Sequence, residues 1–138
     1  MRATSRVGAI TAGVFTALML TATTAWAGSA HFVDDTVTKT VSGNTLTVSG
    51  KEAGLGDEAQ VHIVITATAL CINNGGNHPK AVNKTSVSAA DDFPVQNGKA
   101  NFSLSVTATF QPECSPPMTV AFTNITVTDT TNGISTDP

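Results

Sequence analysis

The chain has 138 residues, only 12% of them charged and 5% aromatic, with two cysteines, no tyrosine and a formal charge of −3. That length suits one ordinary domain. An acidic balance with no basic stripe and no amphipathic helix excludes nucleic acid as a partner and gives no support to a role at a membrane surface.

The first segment, "MRATSRVGAITAGVFTALMLTATTAWAGSA", reads as a secretory leader. Arg2 and Arg6 form its basic end, Val7 to Ala22 its apolar run, and Ala25-Trp26-Ala27 a small-x-small cleavage site. Cleavage is expected after Ala27, with Ala30 second. The alternative, an uncleaved anchor, wants a longer apolar span with fewer threonines. The expected domain is therefore 28–138, in the extracellular space. Export removes both arginines and the only tryptophan, leaving five lysines against ten acidic residues, a charge of −5. Val, Thr and Ser crowd what is left, a mixture that suits half-buried strands. Residues 28–35 read as a loose end.

"TVTKTV" and "TLTVSG" follow, separated by the turn Ser42-Gly43-Asn44. The repeated "TVSG" is too short to be a domain repeat. The next strand is stronger: in "VHIVITATALCI" one face takes Val61, Ile63, Ile65, Ala67, Ala69 and Cys71. Its other face carries His62, Val64, Thr66, Thr68, Leu70 and Ile72, apolar enough to suggest cover on both sides. The Asn-Gly loop after it leads to a shorter strand, "TSVSA", at 85–89. Asn97-Gly98 is a tight-turn dipeptide. It opens "ANFSLSVTATF", where Ala100, Phe102, Leu104, Val106, Ala108 and Phe110 alternate with Asn, Ser and Thr. In "TVAFTNITV", at 119–127, the apolar parity slips between Phe122 and Ile125, as a bulge near Asn124 requires. Residues 132–138 read as a second loose end. About seven short strands and no helix predict an all-β fold, an immunoglobulin-like β-sandwich with one disulfide.

That disulfide is Cys71–Cys114, the default for the only two cysteines of an exported chain. If 61–72 runs up, 82–89 runs down and 100–110 runs up again, so both cysteines reach one pole. A redox role wants a C-x-x-C pair or a neighbour that stabilises a thiolate, and the sequence offers neither. The bridge would then staple Asn73 to Pro79 against "QPECSPP" (111–117) as one polar platform. Asn73, Asn74, Asn77, His78 and Glu113 are its candidate binding residues.

Catalysis is not expected from this inventory. His78 is the only base on the platform and Glu113 the only nearby acid, with no nucleophile elbow and no spaced carboxylate pair. His31, His62 and His78 share no zinc-ligand spacing. The pairs Asp34-Asp35, Asp57-Glu58 and Asp91-Asp92 raise calcium, but none follows the EF-hand pattern, and paired acids at turns commonly serve solubility. No metal or other cofactor is expected. A sugar site wants an aromatic platform, and the phenylalanines sit mostly at strand-core positions. Asn83-Lys-Thr, Asn101-Phe-Ser and Asn124-Ile-Thr match the glycosylation acceptor pattern, which has meaning only in a eukaryotic secretory route. The leader reads as bacterial.

The run Cys71-Ile-Asn73-Asn-Gly75-Gly76-Asn77-His-Pro79, with Asn83-Lys84 and Cys114-x-Pro116, resembles a family of small secreted two-cysteine proteins of actinobacteria and fungi. The resemblance covers about Leu70 to Val127. It implies secretion, the bridge and the strand order, and it transfers no catalytic residue. A looser similarity, through size, acidity and "TVSGKEAGL", is to secreted carriers of the neocarzinostatin type. Those have two disulfides where this chain can form one, so the likeness is at fold level.

The function expected from all this is non-enzymatic. The chain acts by binding, or as a structural extracellular component, through its stapled pole. The partner is an extracellular protein, a cell-wall component or a small ligand. A carrier holding an apolar ligand in a cleft between sheets is the alternative, and a protease inhibitor presenting "PECSPPM" is a third reading.

Overall fold

A computed structural model describes residues 29–73 and 83–138. Eight strands form two antiparallel sheets: β1 (His31–Phe32), β2 (Thr38–Ser42), β3 (Thr45–Ala53), β4 (Gln60–Ile72), β5 (Lys84–Pro94), β6 (Ala100–Thr107), β7 (Thr119–Asp129) and β8 (Ile134–Thr136). In the first sheet β3 is central. β6 runs along one side of it, while β1 and β2 lie end to end along the other, separated by the 3₁₀ turn Asp34–Thr36. The second sheet has the order β5-β4-β7-β8.

Alternation decides which face of each strand is buried. Leu46 and Val48 of β3, with Phe102 and Leu104 of β6, meet Val61, Ile63 and Ile65 of β4 and Ile125 and Val127 of β7. Each fully buried Leu, Ile or Val contributes roughly 1.5–3 kcal/mol, so this double layer carries most of the stability. Phe102 is its pivot, edge-on to Phe32 at 5.8 Å and to Phe93 at 6.3 Å. Gly50 makes room for it: a Cβ there would lie 2.9 Å from the Phe102 ring and 3.0 Å from Val37 Cγ2. A sandwich is therefore the observed architecture, as the alternation predicted.

The outer face of β4 departs from expectation. Val64, Leu70 and Ile72 are only half-buried, flanked within the sheet by β5 and β7 rather than covered by a third layer. The ends differ too. Residues 28–35 and 132–138 were expected to be loose, yet Phe32 is buried and pairs with Glu52, and Ile134 pairs with Asp129. One buried aromatic and a three-residue hairpin return hold these short ends, and neither is long enough to show alternation. β6 stops at Thr107 instead of 110 because β3, its partner, begins at Thr45. The Ala108 amide then donates to the Asn44 carbonyl of the β2–β3 turn.

Two local expectations hold. Asn97 (φ 53°) and Gly98 (φ 73°) form the tight turn between β5 and β6, in the left-handed region that Asn and Gly tolerate. Asn124 (φ 51°) marks the bulge in β7, where the pairing with β4 shifts between Thr66 and Thr68.

Candidate functional site

Cys71 ends the buried face of β4, and Cys114 lies in the β6–β7 loop. They form a disulfide with a Cα–Cα distance of 5.8 Å. Around the bridge sits a second, smaller core of Ala69, Ala108 and Phe110, flanked by Met118, Val120 and Phe122. Met118 Sδ lies 3.7 Å from Cys71 Sγ. The bridge thus rests on apolar support.

Two shallow recesses share Cys114 and Asn44 at this pole. One, of about 290 Å³, is lined by Thr107, Thr109, Phe110, Gln111 and Glu113. The other, of about 350 Å³, is more apolar and is lined by Val41, Pro116, Met118 and Val120. Among the described residues Val41 is the large hydrophobic side chain left most open, 49% exposed on the edge strand β2. Glu113 is exposed, as is Asn73 on the far side of the bridge. The structure thus brings Asn73 and Glu113 to one pole; Asn74, Asn77 and His78 lie outside the described residues. Hydroxyl and amide groups over an apolar floor can hold a ligand by hydrogen bonds and contact. Among the described residues no three His, Cys, Asp or Glu side chains converge as metal ligands, and no helix is long and apolar enough to cross a membrane.

His62 sits on the outer face of β4, half-exposed. Its Nδ1 lies 2.7 Å from Asp92 Oδ1 of β5, the residue opposite in register. Alternation placed it on a sheet face; the partner required the register.

Sequence reasoning passed over two residues at the other pole. Glu52, near the end of β3, and Asp129, the last residue of β7, are both fully buried. Asp129 Oδ1 accepts from the Thr131 and Asn132 amides at 2.8 and 3.3 Å, and its Oδ2 accepts from Asn132 Nδ2 at 2.6 Å. The same Nδ2 donates to Glu58 Oε2 at 3.0 Å. Neither carboxylate oxygen of Glu52 has a donor. Burial, then the Asp129 carboxyl, pushes the Glu52 carboxyl up to about 8. Burial opposes ionisation of Asp129 as well, but the neighbouring Glu52 carboxyl and the hydrogen bonds from Asn132 and Thr131 together hold it below its ordinary value. The signal was present in the parity: Leu46, Val48, Gly50 and Glu52 share the inward face of β3, and Ile125, Val127 and Asp129 that of β7.

Near that pole Lys51, Pro94, Gln96, Asn97, Lys99 and Asn101 line a polar recess of about 380 Å³. Comparison with protein-family models, with characterised proteins and with solved structures gives no match to this chain.

Proposed function

We propose that this chain is an exported, non-enzymatic binding domain of immunoglobulin-like design that works through its disulfide-stapled pole. One observation carries the reading. The bridge ties the chain leaving β4 to the β6–β7 loop, between two recesses, so polar side chains at that pole stand on a rigid base. Rigid presentation lowers the ordering cost of binding. The strand order supports the immunoglobulin-like part: a sheet built on β2-β3-β6 faces one ordered β5-β4-β7-β8, with chain crossings after β3, β5 and β6. Arg2, Arg6 and Ala25-Trp26-Ala27 support export, and so does the resemblance to secreted two-cysteine proteins. Between the sheets the space is taken by Leu46, Val48, Ile63, Ile65 and Val127, each at most 1% exposed, which favours the pole over an apolar cleft as the ligand's seat.

The partner is an extracellular protein, a cell-wall component or a small ligand. The purified protein, immobilised, would be challenged with culture supernatant and cell wall of the producing organism, beside Asn73→Ala and Glu113→Ala. The proposal expects a partner retained by the parent and lost from these variants at unchanged thermal stability, since both side chains are exposed. Retention by both variants would move the working surface elsewhere.

A further inference from the structure

We propose that Glu52 and Asp129 share one proton and so form a pH-sensitive latch between the two sheets, closed in acidic and neutral surroundings and loosened in alkali. Glu52 is contributed by β3 of one sheet and Asp129 by β7 of the other, and both side chains are shut off from water. Asp129 has its donors: two backbone amides and the Asn132 carboxamide. Glu52 has none. The polar group beside it is the Asp129 carboxyl, which is itself an acceptor. Two neighbouring buried carboxylates repel, and a buried ion without a partner is costly. One proton on Glu52 removes a charge and supplies the missing donor in a single step. Asp129 is the member that keeps its charge, because the three donors from the β7–β8 turn are aimed at it.

The other charged and titratable groups around the pair do not supply an alternative. Glu58, from the β3–β4 loop, is a third acid and adds repulsion. His31 on β1, Asp34 and Asp35 on the 3₁₀ turn, Lys51 on β3 and Lys99 before β6 are exposed. His62 on β4 is turned to Asp92. No cation faces Glu52 among these described residues.

The latch has something to hold. Through Asn132 it ties the β7–β8 turn to Glu58 of the β3–β4 loop. That loop is bound in turn to the β5–β6 turn, where the Leu55 amide donates to the Gly98 carbonyl at 3.0 Å. Losing the proton places a second negative charge inside this knot. The expected response is local opening of the β3–β4 loop and the β7–β8 turn, the segments most able to let water in. The neighbouring recess of Lys51, Gln96, Asn97 and Lys99 moves with them, since Asn97-Gly98 is part of the same knot.

The test compares the purified protein with Glu52→Gln, whose carboxamide is the same shape and donates a hydrogen bond at every pH. The parent's thermal and urea midpoints should fall between about pH 5 and about pH 9, and those of the variant should stay level. Hydrogen exchange at the Thr131 and Asn132 amides, corrected for intrinsic rates, should quicken about tenfold in the parent over the same range and less than about twofold in the variant. A parent with a level profile, or a variant as steep as the parent, overturns the proposal. The side-chain carboxyl resonance of Glu52 in the labelled parent checks it without any variant. A titration midpoint near 8 supports the latch and one near 4.5 overturns it. Calcium that raises the parent's alkaline midpoint, with no effect on Glu52→Gln, also overturns it, because a cation would then hold the two carboxylates in place of the proton.

Discussion

The two poles of this sandwich solve the same problem with different chemistry. At each, loops leaving different sheets must be held together where the β-pairing ends. One pole uses a covalent bond, Cys71–Cys114, over a small apolar core, and its polar groups face solvent. The other uses Glu52 and Asp129, two enclosed acids that make no salt bridge among the described residues. A covalent link is indifferent to acidity, whereas a carboxyl pair responds to it. The consequence is a molecule with one pole of fixed stability and one whose stability depends on its surroundings. This asymmetry also separates the candidate binding surface from the pH-sensitive end.

Breaking the bridge should have the largest effect. The cysteines are 43 residues apart, and closing a loop of that size stabilises by about 4 kcal/mol in the chain-entropy model. Cys71→Ala should therefore lose about that much in urea unfolding, by a similar amount in acid and in alkali. A loss confined to alkaline pH would mean that the two poles are not independent. Peptide mapping without reductant should find the linked Cys71–Cys114 peptides and no free thiol.

The pH profile of the parent comes next. Folded Glu52 holds its proton to about 8, while the unfolded chain releases it near 4.5. Its stabilising contribution is complete below the unfolded value and declines as pH rises, until it is gone above about 8. Asp129 works in the opposite sense: its contribution is present above about 3.8 and is lost as the pH falls below that value. Both together place the stability maximum in mild acid, near pH 4–5, with a fall of about 3 kcal/mol by pH 9 once local relaxation is allowed for. A maximum near neutrality would contradict the acid pair.

How much of this was legible in the sequence follows from the kind of information each feature needs. Period-two alternation needs only one strand, so the faces of β3, β4, β6 and β7 could be read directly, as could the parity slip at Asn124. The bridge needed only strand directions and two cysteines. The acid pair needed more. Parity places Glu52 and Asp129 inward on their own strands, but their meeting depends on which end of β3 lies over which end of β7, a fact of sheet packing. The same is true of His62 and Asp92, whose pairing depends on the β4–β5 register. The short strands β1 and β8 were missed for another reason. Two or three residues cannot display a period, and what fixes them is a partner far along the chain. At the stapled pole, Asn73 and Glu113 are exposed, while the two recesses beside Cys114 draw on Val41, Asn44 and Met118, which belong to separate segments.

Gly50→Ala tests the body that joins the poles. The new methyl would meet the Phe102 ring at 2.9 Å and the Val37 backbone at 3.1 Å, so something in the centre of the first sheet must give way. Overpacking of this kind costs about 1–3 kcal/mol. The loss should be the same at every pH, because no ionisable group takes part. A steeper pH profile in this variant would show that strain in β3 reaches Glu52, only two residues along the same inward face.

The smallest effect is expected at His62 and Asp92, although they make a 2.7 Å side-chain contact. Their side chains are 45% and 52% exposed, so water competes for both partners and salt screens them. The backbone of His62 does more than its ring. Its amide donates to Thr131 Oγ1, and its carbonyl accepts from the Thr130 amide, anchoring the β7–β8 turn whatever side chain is present. His62→Ala should therefore change stability by about 0.5 kcal/mol or less between pH 5 and 9, and the alkaline decline should persist unaltered. That result would assign the decline to the enclosed acids rather than to the one visible histidine pair. If the decline vanished with His62 instead, the exposed pair would be the sensor, and the difference between the poles would lie on the sheet surface, not in the interior.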